Sequence, residues 1–163
     1  MLRIVTLFSG LVAAAALIPP VRAQGVLIQR NISLGLAQTI ANAALAKCQS
    51  MGFKVSVSVV DRAGLPVVLL RGDSAGLHTP EGAERKAYTA RTFGQPSAAF
   101  VKRMKDRPDT AGSVHYSHVL ALDGGLPIKV GDDVIGAVGI SGSPGKDDVC
   151  SQAGIDKVAD RLR

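Results

Sequence analysis

Three histidines, two cysteines and a short run of cations hold most of the chemistry this sequence offers. His78 stands in Gly76-Leu77-His78-Thr79-Pro80, just ahead of a helix start marked by Thr79 as cap, Pro80 in the first turn and the early acid Glu81. A helix N-terminus presents free N–H groups and partial positive charge, which suits an anionic carboxylate. Arg85 and Lys86 lie on the following turns, and Arg71 and Asp73 precede the loop. These residues, with Thr79 and Tyr88, are expected to form the main binding site. The alternative is a solvated histidine beside an ordinary cap. Tyr88 itself is either a phenolate ligand or a core residue.

His115 and His118 form a second cluster in His115-Tyr116-Ser117-His118. In an extended segment, positions i and i+3 point to opposite faces, so the pair would share one ion only if the segment turned. Catalysis finds less support. The chain has no H-E-x-x-H and no carboxylate pair with a clear division into acid and base, so no catalytic residue is assigned. Asp147-Asp148 reads as a helix start that complements the dipole.

The stretch GGLPIKVGDDVIGAVGISG, residues 124–142, raises the question of a phosphate loop. Its Gly136-x-x-Gly139-x-x-Gly142 spacing is not that of a dinucleotide fingerprint, and Gly142-Ser143-Pro144 lacks the Lys-Ser/Thr of a P-loop. The glycines are better explained by a turn at Gly131-Asp132-Asp133 and a strand closely approached by something bulky: a helix, a subunit or a ligand.

Arg3, the apolar run Ile4 to Ile18, Pro19-Pro20 and Val21-Arg22-Ala23 have the form of a removable leader, cleaved after Ala23. The run falls short of the ~20 residues a spanning helix needs. Residues 24–163 then form one domain, exported to the periplasm or secreted. Arg3 and Arg22 would leave with the leader, removing two of the +6 net charges. The basic cluster from Lys102 to Arg107 has no interleaved aromatics and reads as a solvated helix end, so nucleic-acid binding is not expected. In an oxidising compartment an even cysteine count suggests a disulfide between Cys48 and Cys150, the alternative being two buried thiols.

Positioning these residues requires a succession of short elements. Val26 to Arg30 is a short apolar strand. Ser33 caps a helix over Leu34 to Met51, with Leu36, Ile40, Ala43, Ala44 and Met51 among its apolar positions and Gly52 as its stop. Lys54 to Val60 alternates as a half-buried strand, with Val55, Val57 and Val59 inward and Ser56 and Ser58 outward. The turn Asp61 to Gly64 leads into a returning strand, Leu65 to Arg71. Helices are expected from Thr79 to Phe93 and from Pro96 to Lys105, strands over Val119 to Leu122, Leu126 to Val130 and Val134 to Ser141, and a closing helix from Asp147 to Leu162. Hairpins outnumber crossovers, which predicts an α+β fold, an antiparallel sheet flanked by helices.

Taken together, Lys86-Ala87-Tyr88-Thr89-Ala90, Gly124-Gly125-Leu126-Pro127-Ile128, residues 136–142, Asp147-Asp148 and the hairpin Val59 to Gly64 resemble the GlcG/HbpS-like family of haem-binding, often named haem-degrading, domains. The likeness spans nearly all of the chain after the leader. It implies a profilin-like sandwich and assembly into dimers or larger homo-oligomers. Some members of that family bind haem, some are exported and work with a membrane sensor kinase, and some are encoded beside glycolate or diol metabolism. Many carry Asp-Gly-Ala where this chain has Asp73-Ser74-Ala75, which puts that loop's conformation in question.

The resemblance makes haem the expected ligand. His78 would ligate the iron, and Arg71, Lys86 and the helix N-terminus would hold the propionates. Two other readings remain open: a cofactor-free interaction module signalling to a membrane sensor, and an enzyme or accessory protein of small hydroxy-acid metabolism. The low aromatic content, with no tryptophan, favours the module over a large apolar haem pocket.

Overall fold

Ser33 accepts a hydrogen bond from the Leu36 N–H and so caps helix α1, Leu34–Ser50. In this computed structural model, which describes residues 25–163, α1 buries Ala37, Ile40, Ala41, Ala44 and Cys48. That stripe recurs every three or four residues and contains no side chain larger than Ile40. Leu36, Ala43 and Met51, expected on the buried face, lie half-buried at its margins. The leader and its cleavage site after Ala23 lie outside the described residues.

Four strands follow the helix: β1 (Ser56–Val60), β2 (Pro66–Arg71), β3 (Gly125–Val130) and β4 (Asp133–Ser141). They form one antiparallel sheet in the order β2-β1-β4-β3. Helix α1 and the late helix α4 (Asp147–Asp156) cover one face, and α2 (Thr79–Phe93) crosses all four strands on the other. Helix α3 (Ser97–Asp106) and a 3-10 stretch, Pro108–His115, lead back to the sheet. The fold is α+β, as expected.

Strand β1 is buried on both faces rather than half-buried. Val57 and Val59 join the core under α1, while Ser56 and Ser58 face α2 instead of water. The Ser56 and Thr79 hydroxyls share a hydrogen bond of 2.8 Å across that layer. The α2 layer is thin because small residues among its buried positions, Ala83, Ala87 and Ala90, meet the strands. Gly125 and Gly139 stand opposite each other in the β3–β4 register. A Cβ at Gly125 would fall on the Lys86 carbonyl, and one at Gly139 on the Ala83 carbonyl. The bulky neighbour that the glycines announced is therefore α2, seated backbone on backbone.

Two expected strands do not form. Val119 to Leu122 is irregular, because α2 satisfies its backbone in place of a ladder. The Leu120 N–H donates to Thr89 Oγ1 (2.9 Å), and Arg85 Nη2 donates to the Val119 carbonyl (2.9 Å). Val26 to Arg30 has strand-forming residues but no partner strand among the described residues. The last helix also ends earlier, at Asp156, with a 3-10 turn at Ala159–Arg161. Cys48 of α1 and Cys150 of α4 are joined by a disulfide that closes a sequence separation of 102 residues. For a loop of that size the chain-entropy model gives about 4–5 kcal/mol of stabilisation.

Candidate functional site

The loop from β2 to α2 is held by its own backbone and by Arg71. Arg71 Nε and Nη2 both donate to the Ala75 carbonyl (3.3 and 2.8 Å), and the Ala75 N–H donates to the Gly72 carbonyl. Ser74 takes the left-handed conformation, φ +61°, so the turn is kept although the residue is not glycine. A left-handed non-glycine residue costs on the order of 1–2 kcal/mol. Ser74→Gly should therefore stabilise the protein by about 1 kcal/mol and raise its melting temperature by roughly 3–5 °C. Calorimetry of the two proteins checks this, and an unchanged or lower melting temperature would count against it.

The end of α2 differs from the expected anion cradle. Its cap is His78, not Thr79, and the His78 side chain makes no capping bond. Thr79 is buried, and its hydroxyl bonds to Ser56 Oγ and the Gly76 carbonyl, so it is a structural residue rather than a ligand contact. The Thr79 N–H donates to Gly76, the Gly82 N–H donates to His78, and Pro80 has none. Few free donors remain, and Glu81 adds negative charge to the first turn. His78 is exposed, with its ring folded back beside Gly76. Asp73 is exposed on the loop.

Lys86 is not available to an anion either. Its ammonium pairs with Asp147 Oδ2 at 2.7 Å, both side chains being about 95 % buried (relative exposure 5 % and 4 %). Asp147 also accepts from the Ser143 N–H (2.9 Å) and hydroxyl (2.5 Å), and Ser143 Oγ lies 3.2 Å from Cys48 Sγ. Asp148 accepts from the Gly124 N–H (2.7 Å). The acids expected to serve the α4 dipole instead tie α4 to α2 and to the entry of β3.

What α2 does present outward is a cleft of about 510 Å³, lined by Leu69, Pro80, Glu81, Glu84, Arg85 and His118. Arg85 organises it. One guanidinium nitrogen donates to Glu81 (3.0 Å) and the other to the Val119 carbonyl, next to His118. Arg85 Nε is buried without a partner. His118 adopts φ +66°, and its ring sits 5.5 Å from that of Tyr88, tilted by 51°. Tyr88 is half-buried and packs against the turn at Gly64. Thus Arg85, Tyr88 and His118 come together, while His78 does not line the cleft. His115 ends the 3-10 stretch, exposed. Among the described residues no group of three or more His, Cys, Asp or Glu side chains is placed to hold a bare metal ion.

A larger hollow, about 560 Å³, opens beside α4 and is lined by residues including Lys47, Leu126, Asp148 and Asp156. Burial pushes the Asp148 carboxyl above its ordinary range against the Gly124 hydrogen bond, and the charges of Asp123 and Asp147 add to the rise. None of its lining side chains is a histidine, cysteine, methionine or tyrosine, so it lacks the donors that ligate haem iron. The cleft on α2 has one. Neither the Arg85–Val119 contact nor the left-handed His118 leaves a local signature in sequence, which is why His78 stood out first.

Residues 32–156 match the family model described as haem degrading protein HbpS-like. The fold is similar to a crystal structure of a double mutant of HbpS from Streptomyces reticuli, with TM-score 0.77 and 32 % identity, covering 88 % of this chain and 97 % of that one. It is similar to a crystal structure of a PduOC:heme complex, with TM-score 0.70 and 26 % identity over 78 % of this chain and 94 % of that one. A Citrobacter freundii protein of 15.0 kDa from the dhaT-dhaS intergenic region is 31 % identical over 114 residues, 69 % of this chain and 80 % of that protein.

Proposed function

Because the chain belongs to the HbpS-like haem-degrading protein family, we propose that it binds haem in the cleft on the outer side of α2, with His118 as the axial donor to iron. The observation that carries this reading is His118 itself, a histidine lining an open cleft of about 510 Å³. The donor set fits the group. An imidazole supplies the iron ligand, and Leu69 and Pro80 supply apolar walls. Arg71 lies two residues from Leu69 on the same face of edge strand β2 and, with Arg85, supplies cations for the propionates. Arg85 also draws Glu81 aside, which lowers its repulsion of those carboxylates. Bound haem would supply a redox-active iron, and the chain would supply its ligand, its orientation and partial exclusion of water.

The protein would be exported and would store, sense or handle haem outside the cytoplasm. The leader-like sequence of residues 1–23 supports export. The Cys48–Cys150 bond supports it too, since such bonds persist in oxidising compartments. Haemin titration followed at the Soret band tests the site. His118→Ala should weaken binding by about tenfold or more, on the order of 1.4 kcal/mol, and shift the band, since the axial ligand to iron is lost. His78→Ala should leave both nearly unchanged. The opposite pattern would transfer the iron to His78, and no band from the unaltered protein would end the haem reading.

A further inference from the structure

The two edges of the sheet are finished differently. At the β3 edge the outward N–H of Gly125 is capped by Ser97 Oγ (2.8 Å), and the next outward position is Pro127, which has no N–H to offer. That edge is closed to another strand. At the β2 edge nothing comparable occurs among the described residues. The Gly72 N–H donates inward to the Val55 carbonyl, so by strand alternation the backbone groups of Leu69 and Arg71 point outward. Leu65 and Leu69 are exposed along this edge.

The segment Gly25 to Arg30 poses the complementary problem. Val26, Leu27 and Ile28 are 69, 81 and 99 % exposed, three consecutive apolar residues that nothing among the described residues covers. The arm leaves the body beside the β1–β2 turn. There Arg62 Nη1 donates to the Arg30 carbonyl (3.3 Å) and the Arg62 N–H to Asn31 Oδ1 (2.9 Å). Its six residues equal the six of β2. An unbroken apolar run, rather than an alternating one, suits a strand at an edge whose two faces are flanked by α1 and α2.

We infer that residues 25–30 form a strand on the β2 edge of a second copy of this chain, the two copies exchanging arms. The exchange covers Leu65 and Leu69 and pairs the outward groups of Leu69 and Arg71. It also places a partner's apolar side chains beside the cleft that Leu69 lines, so the partner completes one wall of that site. The interface itself does not depend on the ligand.

Light scattering and amide hydrogen exchange on the ligand-free processed protein test it. The expected result is a dimer whose Leu69 and Arg71 amides gain protection as concentration rises. In V26D/I28D, which alters only exposed side chains, dissociation should become about a hundredfold easier and that protection should disappear. A monomer at all concentrations overturns the inference, as does a dimer indifferent to V26D/I28D. Protection of Leu69 and Arg71 in a monomer overturns it too, since the arm would then lie on its own sheet. Haem binding by the monomer would leave the proposed function standing without the exchange.

Discussion

Replacing Lys86 by methionine lowers stability by about 3–5 kcal/mol, because it leaves the Asp147 carboxylate buried without its counter-charge. The pair is removed from water on both sides, and Asp147 keeps only the Ser143 N–H and hydroxyl as donors. Two hydrogen bonds do not offset the cost of a buried charge. The loss appears as a lower urea midpoint at constant slope, since the surface exposed on unfolding hardly changes. The double change Lys86→Met with Asp147→Leu recovers part of it, because no charge is then stranded, although Ser143 loses its acceptor. A single variant within about 1 kcal/mol of the parent would mean that water reaches Asp147, and that Lys86 is open to ligands after all.

The second large effect comes from a single methyl group. Gly139→Ala puts a Cβ against the Ala83 carbonyl and 2.5 Å from the Ala87 N–H nitrogen, both backbone atoms of α2. A side chain could rotate away, but a helix backbone can give way only by lifting the whole helix off the sheet. The expected loss exceeds about 3 kcal/mol, the upper range for overpacking a well-filled core. Gly125→Ala, aimed at the Lys86 carbonyl, should behave alike. Gly35→Ala is the contrasting case, because nothing lies within 4 Å of it in α1. It should be neutral or stabilise by up to about 1 kcal/mol. Equal effects at Gly139 and Gly35 in denaturant titrations would show that α2 is not seated as closely as described.

What the sequence made legible follows the range of the forces involved. The cap at Ser33, the alternation from Val55 to Val59, the proline start of α2 and the turn at Gly131 are set by neighbours within a few residues, and each element appears where expected. The failures need distant partners. Ser56 and Ser58 looked outward because serine on alternate positions reads as solvent, yet the small residues of α2 lie over them. Val119 to Leu122 has a strand's composition, but Thr89 and Arg85, some 30 positions earlier, take its backbone bonds. Lys86 was read as a ligand-facing cation since Asp147, 61 positions away, is invisible to any local pattern. Helix α2, which lines the proposed cleft, was legible in the sequence, but which of its faces reaches solvent was not.

The bond between Cys48 and Cys150 has a topological consequence. It makes a ring of the chain from the last turn of α1 to the first turn of α4, with the exposed stretch around Pro108–His115 on its circumference. A single protease cut in that stretch opens the ring without dividing the molecule: β1, β2 and α2 remain covalently tied to β3, β4 and α4 through the cystine. Such a molecule can be nicked there and still diffuse and be recovered as one body.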